Sequence, residues 1–348
     1  MKLGIVGVPQ CGKSTIFDAL TGARGEDGDR SPARKDMKMA AVTVFDERIA
    51  FLSEIYQPKK TSFAKVEYLL PSEIQGASPE KSRAGLWNQI RTCDALLHVV
   101  RNFRSTGGSP PSHEKDYWQL EEEMILTDLV VTENRIQRIE ADLKRGKKEG
   151  GEEYDILQSC RKILEEGTPI RGSANLASHP LLKGFTFLSA KPGLVIMNNE
   201  DEDEVLPSWN RPPEEVNAIV VRGRLEQDIA SMSPEEAQEF LQAYHVTESA
   251  LDRVINRSYG LLNRISFFTV GSDEVKAWPI AAGTSALDAA GSVHTDIQKG
   301  FIRAEVVSFD DLKKYGDFKE AKKAGQVRLE GKEYIIQDGD IAHFRFNI

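Results

Sequence analysis

Lys13 and Ser14 are the residues best placed for chemistry in this chain. They fall within Gly7-Val8-Pro9-Gln10-Cys11-Gly12-Lys13-Ser14-Thr15, a Gly-x4-Gly-Lys-Ser pattern suited to gripping phosphate groups. The glycines allow a tight turn. Successive backbone N–H groups then point into one concavity and hold the α- and β-phosphates. Lys13 brings a compact positive charge to the β- and γ-phosphates, which makes it a binding and a catalytic candidate. Ser14 offers a hard oxygen to Mg²⁺. Cys11, inside the loop, has two readings. A helix N-terminus beside it lowers its thiol pKa, so that oxidation would block nucleotide, or it is a small residue packed beneath the loop.

Such a loop needs a strand before it and a helix after it. Leu3 to Val6 is an apolar run that reads as a short buried strand. Ile16, Phe17, Ala19 and Leu20 recur at helical spacing behind the loop. The helix starts inside the loop, so its positive end faces the anion.

The chain has 348 residues, 40% hydrophobic and 28% charged. That is ordinary for a globular protein of two or three domains with a core that needs no staples. Three cysteines, Cys11, Cys93 and Cys160, form no spaced pair, which suggests a reduced, cytoplasmic setting. The N-terminus does not read as a signal peptide. No apolar stretch reaches the roughly 18 residues of a membrane span. A net charge of −9 argues against uniform coating of nucleic acid but leaves room for a local basic patch.

Further along, Gly22 to Lys38 reads as a loop, Val42–Phe45 as a strand and Arg48–Tyr56 as a helix. Lys65–Leu70 and Ala95–Val100 are strand candidates, with a helix around Leu86–Arg91 between them. From Ile125 through Leu129, Ile136, Ile139 and Leu143, with Thr132 in register, apolar residues repeat at three- and four-residue steps, a coiled-coil-like seam. Ile156, Leu157, Cys160, Ile163 and Leu164 form the returning stripe. The pair reads as a helical hairpin that packs on itself, the alternative being a partner-binding helix. Gly193–Met197 and Ala218–Val221 are strands. Ser233-Pro234-Glu235-Glu236 starts a helix, and helices continue to about Asn263. Ile265–Val270, Ala277–Ile280, Arg303–Val307, Glu333–Ile336 and His343–Phe346 read as a small, mostly β domain.

These features resemble the YchF-type (Obg-like) ATPases among the translation-factor-related P-loop proteins. The resemblance rests on the phosphate loop, on Leu96-Leu97-His98-Val99-Val100-Arg101 and on Asn134-Arg135-Ile136-Gln137-Arg138-Ile139-Glu140. It rests most closely on Phe267-Phe268-Thr269-Val270-Gly271, on His294 to Val306 and on Gln337 to Phe346. It implies an α/β fold: a P-loop NTPase domain (1–118 and 184–265) interrupted by an α-helical coiled-coil hairpin (119–183), then a C-terminal β-grasp, ubiquitin-like TGS domain (266–348). It implies binding of ATP, with GTP as competitor, together with Mg²⁺, slow hydrolysis and association with ribosomes.

The resemblance also assigns residues. Asn198-x-x-Asp201, with Asn199 and Glu200 inside it, matches the base-reading motif. The family usually has Glu at the last position, and Asp201 leaves ATP against GTP open; the other reading is a plain acidic loop. Arg222 or Arg224 would stack on the base. A water-positioning histidine is expected in the loop after the Leu96–Val100 strand, where His113 stands; an exposed loop histidine without a role is the alternative. His98, on an apolar strand, reads as a satisfied core or loop-facing residue, the alternative being a base. The second switch departs from the family. Tyr68-Leu69-Leu70-Pro71-Ser72-Glu73-Ile74-Gln75-Gly76-Ala77-Ser78 has Leu69 or Leu70 where the family has the Asp that holds Mg²⁺ through water, and a residue near Ser72 where it has a glycine. Glu73 substitutes only if the loop is rearranged. The first switch lacks its threonine; Arg34, Lys35 and Lys38 there contact phosphates or form a solvated basic loop. Lys299, Arg303, Lys313, Lys314, Lys319, Lys322 and Lys323 make an RNA- or ribosome-facing surface, or an ordinary charged one. On this reading the chain is a slow NTPase, with a catalytically impaired nucleotide-binding scaffold or an RNA-binding module as the alternatives.

Overall fold

The computed structural model describes residues 1–22, 37–72, 79–104, 107–146, 151–212, 217–243 and 249–347. The expectations for Arg34, Lys35 and Glu73 lie outside the described residues. The chain begins with β1 (Lys2–Val6), α1 (Lys13–Gly22), β2 (Lys38–Thr43), α2 (Glu47–Tyr56), β3 (Lys60–Ser62), β4 (Lys65–Leu70), α3 (Pro79–Ile90) and β5 (Ala95–Asn102). It goes on through α4 (His113–Lys144), α5 (Gly151–Glu165), α6 (Ala174–Ala177), β6 (Gly193–Asn199), β7 (Asn217–Val221), α7 (Gly223–Ser231), α8 (Pro234–Ala243) and α9 (Ala250–Leu261). The last stretch holds β8 (Arg264–Thr269), β9 (Glu274–Ala281), α10 (Ala286–Val293), α11 (Thr295–Lys299), β10 (Phe301–Ser308), α12 (Phe309–Tyr315), α13 (Phe318–Lys323), β11 (Arg328–Glu330) and β12 (Asp340–Phe346). Contacts divide the chain into two units, one of Met1–Val42 with Glu67–Ser258, the other of Thr43–Val66 with Tyr259–Ile348.

The first unit is built on a sheet of order β2-β4-β1-β5-β6-β7. The pairings that join β4, β1, β5, β6 and β7 are all parallel. Its central strands are continuous apolar runs: Leu3, Ile5 and Val6, then Ala95–Leu97 with Val99 and Val100, then Leu194–Met197, all buried. Strands covered on both faces have that composition. Parallel strands end at one edge. There the segments after β1, β5 and β6 come together, the usual place for a ligand in an open α/β sheet.

Helices α4 and α5 are antiparallel. Arg135 holds Glu153 through two bonds of 2.8 and 2.7 Å, and Tyr154 donates to Glu140 at 3.1 Å. Between them Ile125, Ile136 and Ile139 are buried against Leu157, Cys160 and Leu164, with Leu129, Ile156 and Ile163 packed on this strip. Leu143 departs from the expected seam at 44% exposure. It stands in the last turn of α4, past Glu140, whose carboxylate accepts from Tyr154 near the start of α5. Helix α4 also begins earlier than a loop reading of Ser112-His113-Glu114 allows. Glu114 and Asp116 in its first turn favour a helix start there.

The second unit has a sheet of order β11-β10-β12-β8-β9-β3. Antiparallel pairs join β11, β10 and β12 and join β8 to β9; β12/β8 and β9/β3 are parallel. Phe267, Ile280, Ala286, Ala289, Ala290, Phe301, Ala304, Val306 and Phe344 form its core. Arg48 ties α2 to this unit, bonding Asp46 at 2.8 Å and Asp338 at 2.7 Å. Two expectations need correction. Glu333–Ile336 is not a strand, and Ile335 makes only an isolated bridge to Ser285. The Asp340 carboxylate accepts from the Tyr334 hydroxyl and from Gln337 N, so this stretch folds into a turn. The unit is also less purely β than its alternating strands suggest, because α10 to α13 run only five to eight residues each. Helices so short carry little periodic signal.

Candidate functional site

The phosphate loop lies between β1 and α1, as the sequence pattern requires. Its glycines are there for close approach. A Cβ on Gly7 would sit 2.5 Å from the Val99 carbonyl oxygen and 2.6 Å from Cys11 Sγ. Gly12 has φ +98°, and a Cβ there would lie 2.1 Å from Asn198 Nδ2. Gln10 also takes a left-handed conformation, φ 62°. Lys13 Nζ donates to the Gly7 carbonyl at 2.9 Å and the Val8 carbonyl at 2.8 Å, so the ammonium bridges the loop. Ser14 is exposed at the start of α1.

Cys11 is fully buried. Burial pushes its thiol up, outweighing Lys13 and the loop N–H groups, which pull it down. Of the two readings of Cys11, the reactive thiol is the one this burial disfavours, because desolvation exceeds the effect of the helix start. Cys11 is a small packed residue beneath the loop.

Asn198, at the end of β6, is buried and fastens two loops together. Its Nδ2 donates to the Cys11 carbonyl, and its Oδ1 accepts from Gly223 N, both at 3.0 Å. Asn199 faces the opposite way along the strand. Its Nδ2 donates to the carbonyls of Asp203 and Val205, and its Oδ1 accepts from Asn102. Asp201 accepts from Leu225 N at 3.2 Å and so caps the first turn of α7. Glu200 accepts from Arg104 N at 2.9 Å.

Beside these residues lies a cavity of about 690 Å³, lined by Gly12, Thr15, Phe103, Arg104, Asn198 to Glu202, Arg224 and Gln227. It brings together Gly12, Thr15, Asn198, Asn199, Asp201 and Arg224 from the sequence candidates. Phe103, Arg104 and Gln227 were not singled out. The only signal for the first two is their position just past the end of an apolar strand.

His113 does not line this cavity. It lines another, of about 440 Å³, with Pro111, Ser112, Glu114, Lys115, Trp118 and Arg211. Its Nε2 lies 3.1 Å from the Ser208 carbonyl, and its ring meets Trp209 edge-on at 5.2 Å. Glu114 accepts from Asn210 N, Asn210 Nδ2 and Arg211 N, which hold its carboxyl below the usual range. The Arg211 guanidinium lies 3.7 Å over Trp118. A strap from Ser208 to Arg211 is thereby fastened to the start of α4.

On the other side of β1, Leu69 and Leu70 are buried at 1% and 7% exposure. Leu69 belongs to an apolar cluster with Val6, Trp87, Ile90 and Leu96. Ser72 N donates to Gln89 Oε1 at 3.3 Å. Lys38 pairs with Asp18 at 3.3 Å. Among the described residues no cluster of three His, Cys, Asp or Glu side chains suits a metal ion. A cation held mainly by phosphate and water, with one protein hydroxyl, needs no such cluster, and the exposed Ser14 fits that role. In the second unit, Lys322 is paired with Glu305 and Lys323 with Glu320. Lys313 lies over the rings of Phe51 and Phe309. Part of the expected basic surface is therefore engaged within the unit. Among the described residues no helix is long and apolar enough to cross a membrane.

The family profile YchF-GTPase_C, described as a protein of unknown function (DUF933), matches residues 264–347. The chain is 37% identical to a Bacillus subtilis protein named ribosome-binding ATPase YchF, with both chains wholly covered. It is 36% identical to the Escherichia coli O157:H7 protein of the same name, covering all of this chain and 99% of that one. Among solved structures, the Schizosaccharomyces pombe YchF GTPase matches with a TM-score of 0.84 at 28% identity, covering 99% of this chain and 97% of that one.

Proposed function

Because the chain belongs to the YchF family, we propose that it binds ATP or GTP with Mg²⁺, turns it over slowly and associates with ribosomes. One observation carries this reading: Gly7 to Thr15 runs from the end of β1 into the first turn of α1 and adjoins the cavity bordered by Phe103, Asn198 and Arg224. The phosphates take the loop, and Lys13 exchanges the carbonyls of Gly7 and Val8 for the β- and γ-phosphate oxygens. Mg²⁺ would be held by Ser14 and the phosphates, and it supplies charge neutralisation at the transferring group. The base takes the larger cavity, between Phe103, Arg104 and the Asn198–Glu202 segment. Asn198 positions the loop and α7, because both its polar atoms are already bonded to them. Asp201 has one carboxylate oxygen on the α7 N–H, which leaves the other for the base. That is a poorer match to the two adjacent donors of guanine than a free carboxylate, and it leans the reading towards ATP.

The same reading takes residues 1–118 and 184–265 as the P-loop NTPase domain, 119–183 as the coiled-coil hairpin and 266–348 as the β-grasp TGS domain, in a cytoplasmic protein. Ribosome association comes from the relatives' printed names, with the hairpin and the C-terminal domain as contact surfaces. Direct RNA contact is part of that proposal.

Isothermal titration of the full chain with ATP and GTP, followed by steady-state hydrolysis, tests it. Lys13→Ala should weaken triphosphate binding about a hundredfold or more. Binding or turnover that survives this change removes the reading. A second reading, a scaffold that binds nucleotide without turnover, is favoured by the apolar Leu69 and Leu70. Binding without γ-phosphate preference and without hydrolysis selects it. His113 is kept as a water-positioning candidate only if His113→Ala lowers turnover without changing affinity.

A further inference from the structure

The root of the helical hairpin contains a second buried polar site, away from the phosphate loop. His98 from β5, Tyr117 and Glu121 from the first turns of α4, and Arg171 from the 3-10 turn Ile170–Gly172 converge there. One Glu121 oxygen accepts from the Arg171 guanidinium; the other lies 3.7 Å from His98 Nδ1. Tyr117 stacks on the His98 ring at 4.7 Å.

Three polar atoms in this group lack a hydrogen-bond partner among the described residues: both ring nitrogens of His98 and Nε of Arg171. His98 is only 4% exposed. Neutral imidazole has one N–H to give and one lone pair to fill, and imidazolium has two N–H groups to give. Neither form is content unpaired in an apolar interior, where such groups are nearly always bonded to protein or to water.

His98 and Arg171 line one small cavity, together with Tyr117, Glu121, Met124 and Leu194. Its free space is about 10 Å³, room for the centre of one water molecule and no larger ligand. Charge selects the ligand as well. Glu121 already neutralises Arg171, so the lining favours a neutral guest, and a permanent guanidinium argues against a metal ion.

We propose that this cavity is a binding site for a single internal water, which accepts from Arg171 Nε–H and donates to a His98 ring nitrogen. The water completes a lock between β5, the outgoing helix α4 and the chain returning from α5. His98 is thus a positioning residue. The strand it anchors runs on to Val99, whose carbonyl abuts Gly7, and to Asn102, which holds Asn199. The lock stands whether or not the phosphate loop takes a triphosphate.

Two measurements on the full chain test it. A crystal structure at a resolution that reveals internal waters should show one within hydrogen-bond distance of a His98 nitrogen and Arg171 Nε. In hydrogen exchange, His98→Phe keeps a stacking ring but removes both nitrogens. Amides in 113–124 and 168–173 should then exchange about tenfold faster, the loss expected when a buried donor is left unpaired. His98→Gln, which retains a donor and an acceptor, should keep the water and stay near wild-type exchange. A dry cavity in the wild type overturns the proposal, and so does His98→Phe exchanging as slowly as wild type. If His98→Phe does not fold, the wild-type density and the Gln variant decide it.

Discussion

Strand β1 has two unlike neighbours. On the β5 and β6 side, the segments past the strand ends are polar and interlocked: Asn198 bonds both the phosphate loop and α7, and Glu200 bonds Arg104 N. On the β4 side, Leu69 and Leu70 present a buried apolar wall where a hydrolytic P-loop protein would carry a carboxylate. The two sides differ in what they demand. Gripping phosphate needs a fixed concavity of N–H groups and one lysine, all within a few residues. Assisting hydrolysis needs a charged group held near a metal ion, which an apolar wall cannot supply. On the proposed reading, grip and turnover are therefore separable in this chain.

The sharpest way to break that contrast is Leu69→Asp. If the wall lacks only its carboxylate, the variant folds and turns over nucleotide faster. We expect instead a loss of about 4 kcal/mol in denaturant titration, because Leu69 packs against Val6, Ile90 and Leu96, where an unpaired charge has no partner. On the gripping side, Gly12→Ala combines a left-handed φ with a Cβ driven onto Asn198. It should cost about 2–3 kcal/mol and abolish triphosphate binding; a melting temperature equal to wild type would show that the loop is looser than its geometry implies. Asn198→Ala leaves the Cys11 carbonyl and Gly223 N without partners. Thermal unfolding should register about 2 kcal/mol, and calorimetry a weaker nucleotide affinity. An unchanged affinity would mean that the staple does not matter to grip.

The smallest effect belongs to the hairpin root. Burial pushes the Glu121 carboxyl up, but the adjoining His98 ring and the Arg171 guanidinium outweigh it and hold it below its ordinary value. A depressed carboxyl stabilises the fold above its unfolded pKa, about 4.3, and that stabilisation disappears as pH falls through the lower folded value. Wild type should therefore lose stability more steeply than Glu121→Gln below about pH 4. Parallel acid-unfolding curves would leave this carboxylate without the stabilising role given to it.

Legibility follows how far apart the partners are in the chain. The phosphate loop could be read because strand, loop and helix are contiguous, and the hairpin because its apolar steps repeat from Ile125 to Leu143, over about five turns of α4. Asn198 stood out as a motif residue, but its two bonds reach back 187 positions to Cys11 and forward 25 to Gly223. Neither is visible in local pattern. His98 looked like a satisfied core residue because its neighbours on β5 are apolar; its orphaned nitrogens depend on what α4 and Arg171 bring to it. The three residues of β3 carry no strand signal, yet they extend a sheet through β9, more than 200 positions away.

By itself the sequence determined the phosphate-gripping loop, the apolar strands beside it, the antiparallel helix pair and the absence of a carboxylate at Leu69 and Leu70. Each depends on residue types within a few turns or one strand, where local geometry leaves little choice. The tertiary structure alone decided that Asn198 staples rather than dangles, that Cys11 is too buried to be reactive, that His113 starts a helix against Trp209, and that Arg171 meets Glu121 under the hairpin. Those outcomes turn on burial and on partners supplied by distant segments, and both exist only once the sheet has assembled.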